Sequence, residues 1–271
     1  MKQIAKRLAV FIAISLVLSS VASAETENVE TEEVETEIDS ATYQDAVVKT
    51  RCGYHGADGR WHILYGTGFF VEGNYLITAA HCAIDNNNNV LENVKIQFIF
   101  QGKDVIKESR WAECEIIGCD MDNDIVVAKG TDWTSTRSVP LNINTDSIEA
   151  NDSGVIVGFP KSNTETGMIT VSTGNELSTV YETNFIKGII VVYQINGEIF
   201  TIRDAMKFDT VVSSGVSGAP VIMDGKTVGV VSGTIYDGSG TWASKIVYAK
   251  TIIDEYEKTL TGEDIDAEFV A

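Results

Sequence analysis

Three short segments of this chain carry side chains that could do nucleophilic chemistry together. Thr78-Ala79-Ala80-His81-Cys82 follows the apolar run Tyr75–Ile77. Asp122-Asn123-Asp124-Ile125-Val126-Val127-Ala128 sets an acid directly before an apolar run. Gly215-Val216-Ser217-Gly218-Ala219-Pro220 leads into a third. A serine hydroxyl is a weak nucleophile at neutral pH and needs a base within hydrogen-bond reach. That base, a histidine, needs an acceptor on its other ring nitrogen to fix its tautomer. Glycine before and after a serine lets the backbone turn tightly and aim two N–H groups at an oxyanion as it forms. Ser217 is therefore the candidate nucleophile, His81 the base and Asp124 the orienter. Asp120 and Asp122 stand close by; the place of Asp124 at the head of the apolar run favours it.

The elements around these residues read as strands. Short apolar or alternating runs recur from about Tyr43, bounded by Gly, Asn and Asp. They are Ala46–Lys49, Trp61–Tyr65, Gly68–Val71, Tyr75–Thr78, Val94–Phe100 and Ile125–Ala128, then Val155–Phe159, Met168–Val171, Ile186–Tyr193, Glu198–Ile202, Pro220–Met223 and Thr227–Ser232. Asn196-Gly197 and Asp224-Gly225 are hairpin turn signals. So many strands without helical periodicity between them predict a sandwich or barrels. Apolar residues at 252, 253, 256 and 260 predict one C-terminal helix.

The ends of the chain have a different character. Lys2, Lys6 and Arg7 precede the apolar stretch Leu8–Leu18, and Ala22-Ser23-Ala24 is a small-x-small cleavage site. Residues 1–24 are expected to be a signal peptide, because the apolar stretch is shorter than the roughly 20 residues a membrane span needs. Residues 25–42, rich in Glu and Thr, are expected to be a disordered acidic linker or pro-segment. Residues 43–262 would be one folded domain and 263–271 an acidic tail. The net charge is −19; removing residues 1–24, which hold three cations and no acid, makes it −22. Such a surface repels nucleic acid and anionic membranes, so neither is an expected partner, nor is stable membrane insertion once the signal is cleaved. The four cysteines, Cys52, Cys82, Cys114 and Cys119, allow three pairings. They lack the spacing of a zinc site, so no metal is expected.

The three segments, in the order His, Asp, Ser, resemble the signatures of the trypsin/chymotrypsin superfamily. Gly66-Thr67-Gly68-Phe69 upstream of His81 is similar to its bacterial trypsin-like and HtrA-like branch. Gly229-Val230-Val231-Ser232-Gly233 resembles the substrate-binding strand after the nucleophile, and Val247-Tyr248-Ala249-Lys250 the last strand before a terminal helix. The resemblance spans about residues 43 to 260. It implies an all-β fold of two antiparallel six-stranded β-barrels with a C-terminal helix. It also implies a serine endopeptidase with His81, Asp124 and Ser217 as its triad, and the signal peptide makes it an expected secreted or cell-surface protein. The N–H groups of Gly215 and Ser217 would form the oxyanion hole. Val211, Val212 and Ser214 would lie along one wall of the pocket for the residue before the scissile bond (P1), and Val231, Ser232, Gly233 and Thr234 along the other. The substrate would be a protein or peptide, with no cofactor. No PDZ domain is expected after the last helix.

Departures from the family pattern sharpen this. Zymogen-type trypsins have an Asp just before the nucleophile, paired with a freed apolar amino terminus. Val216 cannot make that pair, so activity is expected without a new N-terminus. No acid stands where trypsin's pocket has one, and Val231 stands where glutamyl endopeptidases have a histidine. An apolar P1 residue is therefore expected. Tyr65 replaces the usual partner of the cysteine beside the histidine. Cys52 is the substitute for pairing with Cys82, and Cys114 with Cys119 would then close a short loop near Asp124; free thiols are the alternative. A catalytically silent protease fold serving as a surface binding module is the competing function. It would be marked by loss of a triad residue, and all three are present.

Overall fold

The computed structural model of the chain describes residues 43, 46–56, 58–97, 111–130, 138–161 and 178–262. The expected signal peptide, acidic segment, acidic tail and the run Met168–Val171 lie outside the described residues. The first six strands are β1 (Val47–His55), β2 (Trp61–Val71), β3 (Tyr75–Thr78), β4 (Asn93–Gln97), β5 (Trp111–Asp120) and β6 (Ile125–Gly130). They close into a barrel in the order β1-β2-β3-β6-β5-β4. The next six are β7 (Ser153–Gly158), β8 (Thr179–Ile195), β9 (Glu198–Phe208), β10 (Pro220–Met223), β11 (Lys226–Thr234) and β12 (Thr241–Lys245). They close into a second barrel, β10-β11-β12-β9-β8-β7, and every pairing in both is antiparallel. A helix, α1 (Val247–Thr261), follows.

Strand side chains alternate faces, and here both faces are buried. In the first barrel Val48, Phe70, Leu76, Val94, Ile96 and Val126 fill the interior. Their strand neighbours Val47, Phe69, Ile77, Ile125 and Val127 share a core with Val155, Val157, Ile222 and Val230 of the second barrel and with Ala249 and Ile253 of α1. Ile156, Met206, Phe208, Val221 and Val228 fill the second barrel. Runs such as Tyr75–Thr78 and Pro220–Met223 are therefore apolar at successive positions. One face fills a barrel and the other seals the barrels together. Each fully buried Phe or Leu adds about 1.5–3 kcal/mol, so the seam is a principal source of stability.

Several boundaries differ from expectation. Trp61–Tyr65 and Gly68–Val71 are one strand, β2, running through Gly66 and Gly68. A Cβ at Gly66 would stand 2.9 Å from Cys82 Sγ and 3.0 Å from the Ser217 carbonyl oxygen, so this glycine serves close approach and not a turn. Asn196-Gly197 and Asp224-Gly225 turn as expected, all four at positive φ. Val247–Lys250 is not the last strand; it is the start of α1, and β12 precedes it. Tyr248, Ile252 and Tyr256 pack on the shared core four residues apart, so the helical period already begins at Tyr248.

The cysteines also correct the expectation: all four are free thiols. Cys114 and Cys119 lie on the one strand β5, about 16 Å apart at the strand rise of ~3.3 Å per residue, beyond the roughly 7 Å a disulfide spans. Cys52 faces the first barrel's interior, while Cys82 Sγ lies against Gly66. Burial, with Cys82 and Cys114 adding to it, pushes the Cys52 thiol far above its ordinary range. Burial raises Cys114 to about 12. Among the described residues no helix is long and apolar enough to cross a membrane.

Candidate active site

The end of β3 and the start of β6 bring His81 and Asp124 together. These strands pair with Thr78 opposite Val126, so the residues just past one end meet those just before the other. A single 3-10 turn, Ala80–Cys82, carries His81. The Ala80 N–H donates to the Asp124 carbonyl at 3.1 Å. The Asp124 carboxylate accepts the His81 backbone N–H at 2.9 Å and lies 2.8 Å from ring Nδ1. Asp124 is 0% exposed and sits at φ 54°, a left-handed conformation that short polar side chains tolerate. A carboxylate so buried fixes the proton on His81 Nδ1 and leaves Nε2 as the acceptor. Burial opposes the charged imidazolium. The Asp124 carboxylate, Cys82 and the hydrogen bond from Nδ1 outweigh it, and His81 is held well above its ordinary 6.5. Asp120 instead holds its own loop, accepting from the backbone and side chain of Asn123. The Tyr193 hydroxyl donates to the Met121 carbonyl at 2.8 Å, tying the β8–β9 hairpin to the same loop.

Ser217 stands on the turn before β10, with Gly215 at φ 96° and Gly218 at φ 86°. A Cβ on Gly218 would collide with the Thr67 carbonyl and the Thr78 hydroxyl. This glycine therefore lets the serine turn press against the segment leading to His81. The peptide planes of the turn are set by their carbonyls. Ser214 O accepts the Lys161 N–H at 2.7 Å, and Val216 O accepts the Ala219 N–H at 2.9 Å. In a trans peptide the N–H points away from the carbonyl, so the Gly215 and Ser217 N–H groups are turned away from these anchors. Ser217 O accepts the Thr67 N–H at 2.8 Å, and the Gly218 N–H donates to Val231 O at 2.7 Å.

The proposed pocket residues divide. Val211, 50% exposed, with Ser214 and Thr234, is open to solvent, and Gly233 is partly so. Val212 and Val231 belong with Val216 to the second barrel's core; Val231 is 0% exposed and cannot present its side chain to a ligand. The two expected walls are joined, since the Thr234 hydroxyl donates to the Val212 carbonyl at 3.3 Å. The Ser232 hydroxyl is buried and has no hydrogen-bond partner among the described residues. His55 and His62 lie at the turn end of the β1–β2 hairpin, His62 paired with Asp58 at 3.1 Å.

Several neighbours of the site carry no mark in the sequence. Thr67 appears there only as part of a matching motif. Trp242 packs on Gly233, whose missing Cβ would stand 2.9 Å from the indole Nε1. Tyr193 stacks on Phe200 and packs at a tilt against Trp242. Lys161 has its ammonium 6.0 Å from the Tyr65 ring. Lys161 and Tyr65, like Tyr193 and Trp242, are distant in sequence, and Gly233 meets Trp242 only once the β11–β12 register is set, so no local spacing marks them.

Two antiparallel barrels, with a histidine–carboxylate pair on one and a glycine-flanked serine on the other, define the chymotrypsin-like architecture. The model of the trypsin-like peptidase domain matches residues 66–230, more than half of the chain, and the chain belongs to that family. Among solved structures it is similar to the active form of the Rv3671c protease from M. tuberculosis. That match has 20% identity and a TM-score of 0.59, covering 81% of this chain and 84% of that one. The inactive form of the same protease matches at 19% identity and a TM-score of 0.55, covering 80% and 91%. No curated protein matches the chain in sequence.

Proposed function

We propose that the chain is an exported serine endopeptidase that cleaves peptide bonds through an acyl-enzyme. Ser217 Oγ attacks the scissile carbonyl. His81 Nε2 takes its proton, then returns it to the leaving amine. Asp124 holds the imidazole and balances its charge. The Gly215 and Ser217 N–H groups receive the developing oxyanion. The observation that carries this reading is the buried Asp124 carboxylate 2.8 Å from His81 Nδ1, beside a serine turn whose two free N–H groups face away from their anchored carbonyls. Export is supported by the basic, apolar and small-residue order of residues 1–24.

The P1 residue is apolar and of small or medium size. No charged side chain stands among Val211, Ser214, Gly233 and Thr234, and Trp242 crowds Gly233. Incubation with a fluorophosphonate should label Ser217, and Ser217→Ala should take no label; an unlabelled, inert wild type would leave a silent binding module. Profiling the cleavage sites made by the purified chain tests specificity, and a preference for Arg, Lys or Glu at P1 overturns the apolar assignment.

A further inference from the structure

We infer that Thr67 is a positioning residue: its side-chain hydroxyl holds the peptide that follows Gly215 while the Lys161 backbone holds the oxyanion-binding peptide before it, and together they keep the Gly215 N–H in its working direction. This takes the place of an ion pair to a new amino terminus. The inference rests on the serine-peptidase reading and adds to it the device that keeps the site assembled. Gly215 has no Cβ, so the peptides on either side of it rotate with little steric resistance. The direction of its N–H is therefore set by what grips Ser214 O in the same peptide plane, and the plane that follows is set by what grips Gly215 O. Lys161 N–H grips Ser214 O at 2.7 Å. Thr67 Oγ1 grips Gly215 O at 2.9 Å.

The Thr67 hydroxyl has no freedom in this. It also accepts the Phe159 N–H at 3.0 Å, and a backbone N–H can only donate, so the single hydroxyl proton goes to Gly215 O. The residue is fully buried. Its own N–H holds Ser217 O at 2.8 Å, and its carbonyl accepts the Thr78 hydroxyl at 2.7 Å. One residue of β2 thus fixes carbonyls on both sides of Val216 and is itself fixed by the strand leading to His81. The segment between Gly215 and Ser217 supplies no charged anchor, because Val216 is apolar and buried in the second barrel's core. A Cβ on Gly215 would stand 2.6 Å from Phe159 O and 2.9 Å from Lys161 N. The Phe159–Lys161 segment therefore backs the peptide closely enough to act as its wall.

The test compares wild type, Thr67→Val, Thr67→Ser and Lys161→Pro in the full chain. The substrate is a chromogenic peptide with an apolar P1 residue, and the second probe is a peptide boronate, whose tetrahedral adduct uses the oxyanion site. Thr67→Val keeps the shape and removes the hydroxyl. Its kcat should fall about 10²–10³-fold, the loss seen when one oxyanion donor fails, and boronate affinity should fall with it while KM changes less than about threefold. Thr67→Ser restores the hydroxyl and should recover kcat to within roughly tenfold of wild type. Lys161→Pro, at an exposed position, deletes the other grip and should give the same kcat-selective loss. It decides the matter if Thr67→Val does not fold. Wild-type kcat in Thr67→Val, equal loss in Thr67→Ser, or unimpaired Lys161→Pro each overturns the inference and leaves the peptidase reading standing. An inert, unlabelled wild type overturns both.

Discussion

At the scale of single residues, the site turns on a histidine held by a buried acid. Asp124 raises His81 well above its ordinary 6.5 against the opposing effect of burial. Only the neutral imidazole can accept the Ser217 proton. The rate constant kcat/KM should therefore climb with pH through a value above 6.5, and a profile of hydrolysis against pH reads it directly. The same shift bears on stability with a definite sign. A histidine whose folded value is raised contributes stability that is fully present below the unfolded value and is lost as pH rises through the folded one. In Asp124→Asn the carboxylate that raises His81 is gone and the ring loses its tautomer lock. The acid limb should move down, and kcat should drop by about 10³–10⁴. An unmoved limb would mean that Asp124 does not set the histidine. His81, Asp124 and Ser217 stand out in the sequence as candidates because each lies beside an apolar strand, His81 just after β3, Asp124 just before β6 and Ser217 on the turn before β10. Thr67, Lys161 and Trp242 do not. Thr67 binds Gly215 across 148 positions of chain, and nothing in its neighbourhood foretells that partner.

At the scale of elements, the runs that were legible are those with a buried face and a clear punctuating turn, such as β10 and β11 around Asp224-Gly225. β5 was missed. Its sequence Trp111–Asp120 mixes Glu, Cys and Gly without clean alternation, and a register shift between Ile116 and Gly118 breaks its period. The β8–β9 hairpin outruns the expected Ile186–Tyr193 because its tip is held by tertiary contacts. The Asn196 side-chain amide donates to Asp85 O and Asn88 Oδ1 beyond the His81 turn, each at 2.9 Å. α1 locks the first barrel from outside. Its Ala249 and Ile253 enter the shared core, Ile252 covers Gly118 of β5, and Glu257 accepts the Tyr75 hydroxyl at 3.0 Å. Truncating a buried isoleucine costs about 2–5 kcal/mol. Ile253→Ala should lower the unfolding free energy read from urea titration by that amount and leave kcat of the folded protein within about twofold of wild type. A large kcat loss without loss of stability would mean that α1 shapes the site itself.

At the scale of the whole molecule, the two barrels are joined by the strand faces that point out of each barrel. The serine turn is clamped in the seam by Thr67 from one barrel and by the Phe159–Lys161 segment of the other. All of these contacts are made between residues from Tyr43 onward. Tyr43 itself closes against the β10–β11 turn, its hydroxyl 2.8 Å from where a Gly225 Cβ would lie, and Ala46 N–H bonds its carbonyl at 3.0 Å. Val216 offers no carboxylate to a liberated amino group. Chains beginning at Glu25 and at Ala41 should therefore hydrolyse the same peptide with kcat/KM values within about threefold of each other, and neither should need an apolar first residue. Parallel assays of the two forms, each with its terminus verified by mass spectrometry, measure this. If activity appears only after a cut that exposes an apolar amino terminus, the seam does not assemble the site by itself. A buried amine would then have to find an acceptor other than Val216.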